Sequence, residues 1–461
     1  MTAQNSAAQN PAAQNPAAQN PAVRNRAPLY PDSRYVPVPL PAHLPERLTI
    51  TLWDFSWYVR TGPGEPFEDL DAAFAGAVER GYNTIRICAM PFLLFGSGLD
   101  TRALRLGPLG GAYGQRVRWY DVQQETVIDG RAHLLALFEA ARRHGVFVIV
   151  SSWEYQQSSS FALERDWFDA LTAVAPEERA ERLAEAQAAL VAFVAEHGLD
   201  DRIAYVELHN EVQAGHLTDG LDVDLTDIDA ATVALTPRLT RGIDRFHELA
   251  PGLPCAVNYA HVPVGGMRGI PWNSDVLALH PYIYGVLNEM ISEFGLRGPL
   301  EGFEQERAER AFLLEGAPPI AEWTLPPESQ WKLTATIVGR GEVYAHDWGD
   351  ASAIDRWLEE HYARHHLEMR STLRQWIAVA ADHAALRGVP LVFGEGWVGY
   401  TPLEGRFEEG AIGAEYCRLA MTESRRVGAW GSIVCSNAAP QHPMWDDVAL
   451  QLECNALFTG E

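Results

Sequence analysis

The sequence predicts a (β/α)8 barrel with a long insertion between its sixth and seventh strands. From residue 48 onward, short β-branched or aromatic runs alternate with longer helical patterns, the signature of βα units around a parallel sheet. Eight such runs can be counted, which suits a closed barrel. No GxGxxG follows the first run and no GxxxxGK[ST] occurs anywhere, so the usual marks of a nucleotide-binding sheet are missing. An open doubly wound sheet stays open as the alternative, because periodicity does not count strands reliably.

Taken in order, residues 1–27 carry a near repeat, Ala-Ala-Gln-Asn-Pro, with prolines at 11, 16 and 21. That stretch has almost no apolar bulk and is expected to be disordered. Residues 28–461 are read as a single catalytic domain, whose first twenty residues lie extended over its surface. The expected strands are 48–54, 83–89, 146–152, 203–209, 255–259, 276–280, 390–394 and 430–435. Helices are expected at about 67–80, 131–144, 177–197, 238–249, 365–387, 410–426 and 446–457. Glycines at 81, 145 and 388 stand where helices need a C-terminal cap before the next strand. No convincing helix separates the fifth and sixth strands. The surplus chain at 285–350 is read as an insertion on the rim where barrels carry their active sites.

Composition limits the function. At 461 residues, with 47% apolar and 21% charged residues, the chain is long enough for a large core. A formal charge of −25 should repel phosphate backbones and anionic membranes, so neither a nucleic acid nor a membrane is expected as a partner. No run approaches the roughly 18 apolar residues of a membrane span. The N-terminus has no basic and apolar leader pattern, so a cytoplasmic location is expected. Five scattered cysteines form neither a disulfide framework nor a CxxC metal pattern.

Two segments carry candidate chemistry. In Ile203-Ala204-Tyr205-Val206-Glu207-Leu208-His209-Asn210-Glu211, period-2 alternation puts Tyr205, Glu207, His209 and Glu211 on one side and Asn210 on the other. Glu211 then reaches the barrel mouth, and Glu207 lies below it and needs a hydrogen-bonded partner. In Val389-Pro390-Leu391-Val392-Phe393-Gly394-Glu395-Gly396-Trp397, a glutamate sits between two glycines after an apolar run. The glycines allow close backbone approach, and Trp397 offers a flat face to a sugar ring. Each segment alone is equally well read as a strand end or a turn. Together, two glutamates ending the fourth and seventh strands supply the acid/base and the nucleophile of glycoside hydrolysis.

On these residues the chain resembles the glycoside hydrolases of clan A, in particular the cellulase-like barrels of family five. The resemblance covers roughly residues 48–457 in element order. It implies that Asn210-Glu211 ends strand four with the acid/base, and that Glu395 is the nucleophile of a retaining enzyme. It places Arg86 beside the nucleophile and matches His280 and Tyr282 to a His-x-Tyr that ends strand six. Asn258, His209, Trp53, Trp57, Trp153 and Trp397 are the remaining candidates for binding or support, the tryptophans as stacking platforms. The chain departs from the family where Val212 replaces a proline and where Ser436 and Asn437 end strand eight in place of a tryptophan. No family-like histidine follows Ser151-Ser152-Trp153-Glu154.

The expected activity is retaining hydrolysis of a β-linked glycoside or oligosaccharide, with no cofactor and no metal. His361, His365 and His366 are read as a solvated helix face. The alternative is a cellulase-like barrel that binds carbohydrate without cleaving it. An aldolase or isomerase would need a strand-end lysine, and the nearest, Lys332, lies in the insertion. The sequence carries no signal for the sugar, the linkage or the oligomeric state.

Overall fold

The computed structural model describes residues 35–461; the repeat at 1–27 lies outside them. Eight parallel strands surround one core: β1 Leu48–Asp54, β2 Thr84–Cys88, β3 Phe147–Ser151, β4 Ile203–Glu207, β5, β6 Leu277–His280, β7 Leu391–Phe393 and β8 Gly431–Ile433. β5 is split into Cys255–Ala256 and Asn258–Ala260. The first piece pairs with β4 and the second with β6. With β1 paired to both β2 and β8, the sheet runs in one circuit and the barrel closes. The expected closed barrel is therefore found, with its fifth strand broken at Val257.

β1 shows why these runs become barrel strands. All seven residues of Leu-Thr-Ile-Thr-Leu-Trp-Asp are buried, because one face meets the barrel interior and the other meets helices. Inside, Gly431 makes room where two strands converge. A Cβ there would stand 3.0 Å from Ile50 Cδ1 and 3.1 Å from Val392 Cγ1.

The outer helices are α1 Leu70–Glu79, α2 Gly130–His144, α3 Arg179–Glu196, α4 Ile228–Leu249, α5 Ala351–Arg387, α6 Ala411–Arg426 and α7 Val448–Thr459. Two begin well before the expected position. α4 runs through Pro237, which reads in the sequence as a start signal. The Val233 carbonyl that loses a backbone partner to this proline lies 2.9 Å from the Thr236 hydroxyl, whose nearest acceptor is the Gly269 carbonyl at 2.6 Å. α5 begins at Asp350, whose side chain accepts from the Ala353 amide at 3.0 Å. The chain between β6 and α5 folds as helices Val286–Phe294, Gln305–Ala311 and Arg340–Trp348 with short 3-10 turns between them. A hairpin of Leu104–Leu106 and Thr126–Ile128 in the loop after β2 was not marked by the sequence pattern. Among the described residues, no helix is long and apolar enough to cross a membrane.

Candidate active site

The C-terminal ends of the strands open into a cleft of about 460 Å³ lined by Asp54, Trp153, Asn210, Glu211, Tyr282 and Glu395, among others. Arg86 of β2 lies at its floor, fully buried. Its Nη1 donates to Glu395 Oε1 at 2.8 Å, and its Nη2 to Glu207 Oε2 and Asn210 Oδ1 at 2.7 Å each. The Trp153 ring lies 4.5 Å from the guanidinium and covers it. Glu207 has the partners its burial demands, since Tyr205 and Asn258 also donate to it at 2.8 and 2.7 Å.

Glu211 does not continue the strand. β4 ends at Glu207, and the chain turns so that Glu211 adopts φ +38°. The strict alternation expected through residue 211 is thereby corrected, because Asn210 and Glu211 both reach the cleft. The turn is held by His209, whose Nε2 accepts from the Tyr155 amide at 3.0 Å and whose ring bonds the Asn210 carbonyl at 2.5 Å. Asn258 Oδ1 accepts from the Glu211 amide at 2.5 Å. The Glu211 carboxylate receives Gln156 Nε2 at 3.1 Å and lies 3.1 Å from His280 Nδ1. His209 thus supports the site from outside the cleft lining.

Glu395 follows β7. Besides Arg86, its carboxylate accepts the Tyr282 hydroxyl at 2.8 Å. Tyr282 in turn meets the Tyr400 and Ser436 hydroxyls, each at 2.5 Å. Ser436 therefore fills the end of β8 with a polar link, through Tyr282, to Glu395. Gly394 lets Arg86 and His280 approach. A Cβ there would stand 3.1 Å from His280 Nε2 and 3.2 Å from Arg86 Nε.

Electrostatics set Glu211 apart from Glu207. Burial pushes Glu211 above the ordinary glutamate range, against the lowering influence of His261, Gln156 and Arg86. Glu207 is desolvated too, but the Arg86 charge and hydrogen bonds outweigh this and hold it below its usual range. Burial drives His280 down to about 4, so its ring is neutral at neutral pH. Ligand atoms of Glu211, His280 and Glu395 lie within 4.8 Å of one another, close enough to share a cation. Each of the three already has a side-chain partner. A second such group, Glu289, Glu293 and His361, lies away from the cleft lining.

Of the four expected stacking tryptophans, only Trp153 lines the cleft. Trp53 points away from the barrel axis onto Phe67 and Phe74. Trp57 stacks on His133 of α2 and donates to the Cys88 carbonyl at 2.8 Å. Trp397 is buried against Phe393 and donates to the Val434 carbonyl at 2.9 Å. The other aromatic surfaces of the cleft come from Phe55, Trp119, Tyr282, Tyr284 and Tyr400. Asp54 also lines the cleft and was not singled out in the sequence; it ends β1 just past an irregularity in the pairing with β2 and adopts φ +40°. It faces Glu395, and burial raises it to about 7.

The fold and floor together are those of a (β/α)8 barrel with its polar residues gathered at the C-terminal ends of the strands. A family model described as sugar-binding cellulase-like matches residues 50–218. No curated protein matches the chain. Among solved structures, a candidate glycoside hydrolase from Parabacteroides distasonis is similar, with a TM-score of 0.60 and 19% identity over 89% of this chain and 93% of that one. A broad-specificity endoglucanase from Bacteroides salanitronis is also similar, with 13% identity, coverage of 90% and 93%, and a TM-score of 0.46. So is an endo-1,4-β-D-mannanase from Thermotoga petrophila, with 14% identity, coverage of 84% and 87%, and a TM-score of 0.43.

Proposed function

We propose that the protein is a retaining glycoside hydrolase acting on a β-linked glycoside. The observation that carries this reading is the pair itself. Oxygens of Glu211 and Glu395 lie within 4.8 Å of one another, and a retaining pair needs carboxyl groups about 5–5.5 Å apart. In the first step Glu395 attacks the anomeric carbon while Glu211 gives its proton to the departing oxygen. In the second, Glu211 takes a proton from water as the water displaces Glu395, and the sugar leaves with retained configuration. Arg86 and Tyr282 aim the nucleophile. Asn210 stands where it would meet the 2-hydroxyl. With Glu211 protonated, Arg86, Glu207 and Glu395 sum to one negative charge, which suits the positive charge growing on the ring.

The alternative, sugar binding without cleavage, finds support in the description of the matching family. Retention of both hydrogen bonds to Glu395 favours hydrolysis, since a pure binding cleft has no need to aim a nucleophile. The test is a screen of aryl glycosides. Glu395→Gln should lower kcat on the best substrate at least about 10³-fold. Glu211→Ala should lose activity that added azide restores. Full activity of Glu395→Gln would overturn the mechanism.

A further inference from the structure

β2 and β6 stand opposite one another in the barrel, four strands apart whichever way the circuit is followed. The long loops that follow them nevertheless meet. The amides of Gly114 and Arg116, in the loop after β2, donate to Asp347 of the insertion at 2.6 and 3.0 Å. Lys332 Nζ donates to the Pro108 carbonyl at 3.1 Å, and Tyr120 shares a hydrogen bond with Thr336. Within this junction Arg118 is fully buried and ties in the loop after β7. It donates to the Thr401 and Gly405 carbonyls at 3.2 and 2.6 Å and to Glu409 at 2.5 Å. The next residue, Trp119, lines the cleft. Its ring packs edge-on against Tyr400 at 4.7 Å and His346 at 5.6 Å, two further cleft residues. Loops from β2, β6 and β7 thus join in one wall. Tyr400 meets the Tyr282 hydroxyl that donates to Glu395, so the wall stands on the nucleophile's side. The rim at β5 is built differently. Ala260 and His261 line the cleft, and the loop they begin is drawn outward, where the Gly265 amide donates to Asp229 at the start of α4 at 3.0 Å.

In a double displacement the ring being transferred lies over the nucleophile, and the leaving group lies past the acid/base. We propose that the nucleophile's side of the cleft is a blind pocket for one sugar, closed by Trp119, Tyr400 and His346. The protein is then an exo-acting hydrolase that releases single residues from the non-reducing end of a saccharide. The proposal rests on the hydrolase reading. A second ring on that side would need the space that Trp119 fills. Moving the loop aside would strip a buried guanidinium of its partners, which is costly. The leaving saccharide, in contrast, finds hydrogen-bonding groups around Glu211 in Gln156, Gln157, His261 and Arg297.

The experiment follows the first products from aryl β-glycosides of glucose, mannose, galactose and xylose and from the aryl β-1,3- and β-1,4-biosides of the same sugars. The aryl group is the better leaving group, so an open cleft would release it together with the intact disaccharide. A blind pocket admits only the terminal ring. The expected first products of a bioside are therefore the monosaccharide and the aryl monoside, at least about tenfold over disaccharide. Trp119→Ala opens the wall and should raise the disaccharide share at least about threefold. That ratio is read within one reaction, so it does not depend on how much of the variant folds. Disaccharide as the main first product of the parent, or an unchanged ratio in Trp119→Ala, overturns the pocket and leaves hydrolysis standing. Cleavage of none of these compounds overturns the hydrolase reading and the pocket with it.

Discussion

Arg86 joins Glu207, Asn210 and Glu395 by donating from every nitrogen of its buried guanidinium. The cost of burying that charge is offset by two carboxylates and an amide, and the same contacts aim Glu395. Glu211 shows a different cost. Its φ of +38° is a conformation that costs a side-chain-bearing residue about 1–2 kcal/mol and a glycine little. Glu211→Gly is therefore expected to be at least as stable as the parent in urea unfolding, by up to about 1 kcal/mol, while losing hydrolysis. Marked destabilisation would show that contacts of the carboxylate outweigh the backbone strain. At this scale the structure brings Arg86, Asn210, Glu211, His280, Tyr282 and Glu395 together. The sequence singled out Glu211 and Glu395 from the residues themselves and Arg86, His280 and Tyr282 through the resemblance. Strand parity failed at Glu211, because the chain turns after Glu207. Gln156, Trp119 and Tyr400 could not be singled out, because they come from loops whose paths depend on tertiary packing. Trp53, Trp57 and Trp397 read as platforms because a tryptophan suits either a core or a sugar, and only the backbone's facing decides.

At the scale of elements, β7 depends on the absence of a side chain at its end. Gly394→Ala would put a methyl group at 3.1–3.2 Å from His280 and Arg86, tighter than ordinary contact, so one of them must shift. A misplacement of about 1 Å can cost 10²-fold in rate, and an overpacked core site costs about 1–3 kcal/mol. The expected outcome is a kcat at least about tenfold lower with the fold retained, checked by steady-state kinetics beside circular dichroism. The strands themselves were legible within a residue or two, since a short β-branched run between turn signals suits a strand covered on both faces and little else. Helix starts were less so. The expected start one residue after Pro237 is overturned because α4 passes through the proline, which costs it one backbone hydrogen bond, within a 22-residue helix packed along one face. The break in β5 at Val257 leaves no mark in an apolar run.

For the molecule as a whole, buried titrating groups set how stability depends on pH. Burial holds protons on Asp54 to about 7 and on Glu409 to about 8, whereas unfolded carboxyl groups release them near pH 4. Because only the folded chain binds these protons in between, their contribution is full at lower pH and lost as pH rises through 7 to 8. His280 acts in the opposite sense. Its folded value of about 4 lies below the unfolded value near 6.5, so its contribution is present above pH 6.5 and lost as pH falls toward 4. His209, His346 and His383 act in the same sense as His280, so the carboxyl contribution is isolated by substitution. Glu409→Gln should show a smaller fall, or a larger rise, in Tm between pH 6.5 and pH 8.5 than the parent, measured by calorimetry. The barrel's circuit closes where Leu48 pairs with Gly431, from opposite ends of the chain that forms it. During synthesis β1 must wait, one edge unpaired, until nearly everything else has been made. A ribosome stalled before β8 would hold an open sheet with bare edges at β1 and β7. Such a chain invites chaperone capture or strand exchange with a neighbour, and completing the last pairing is what ends that exposure.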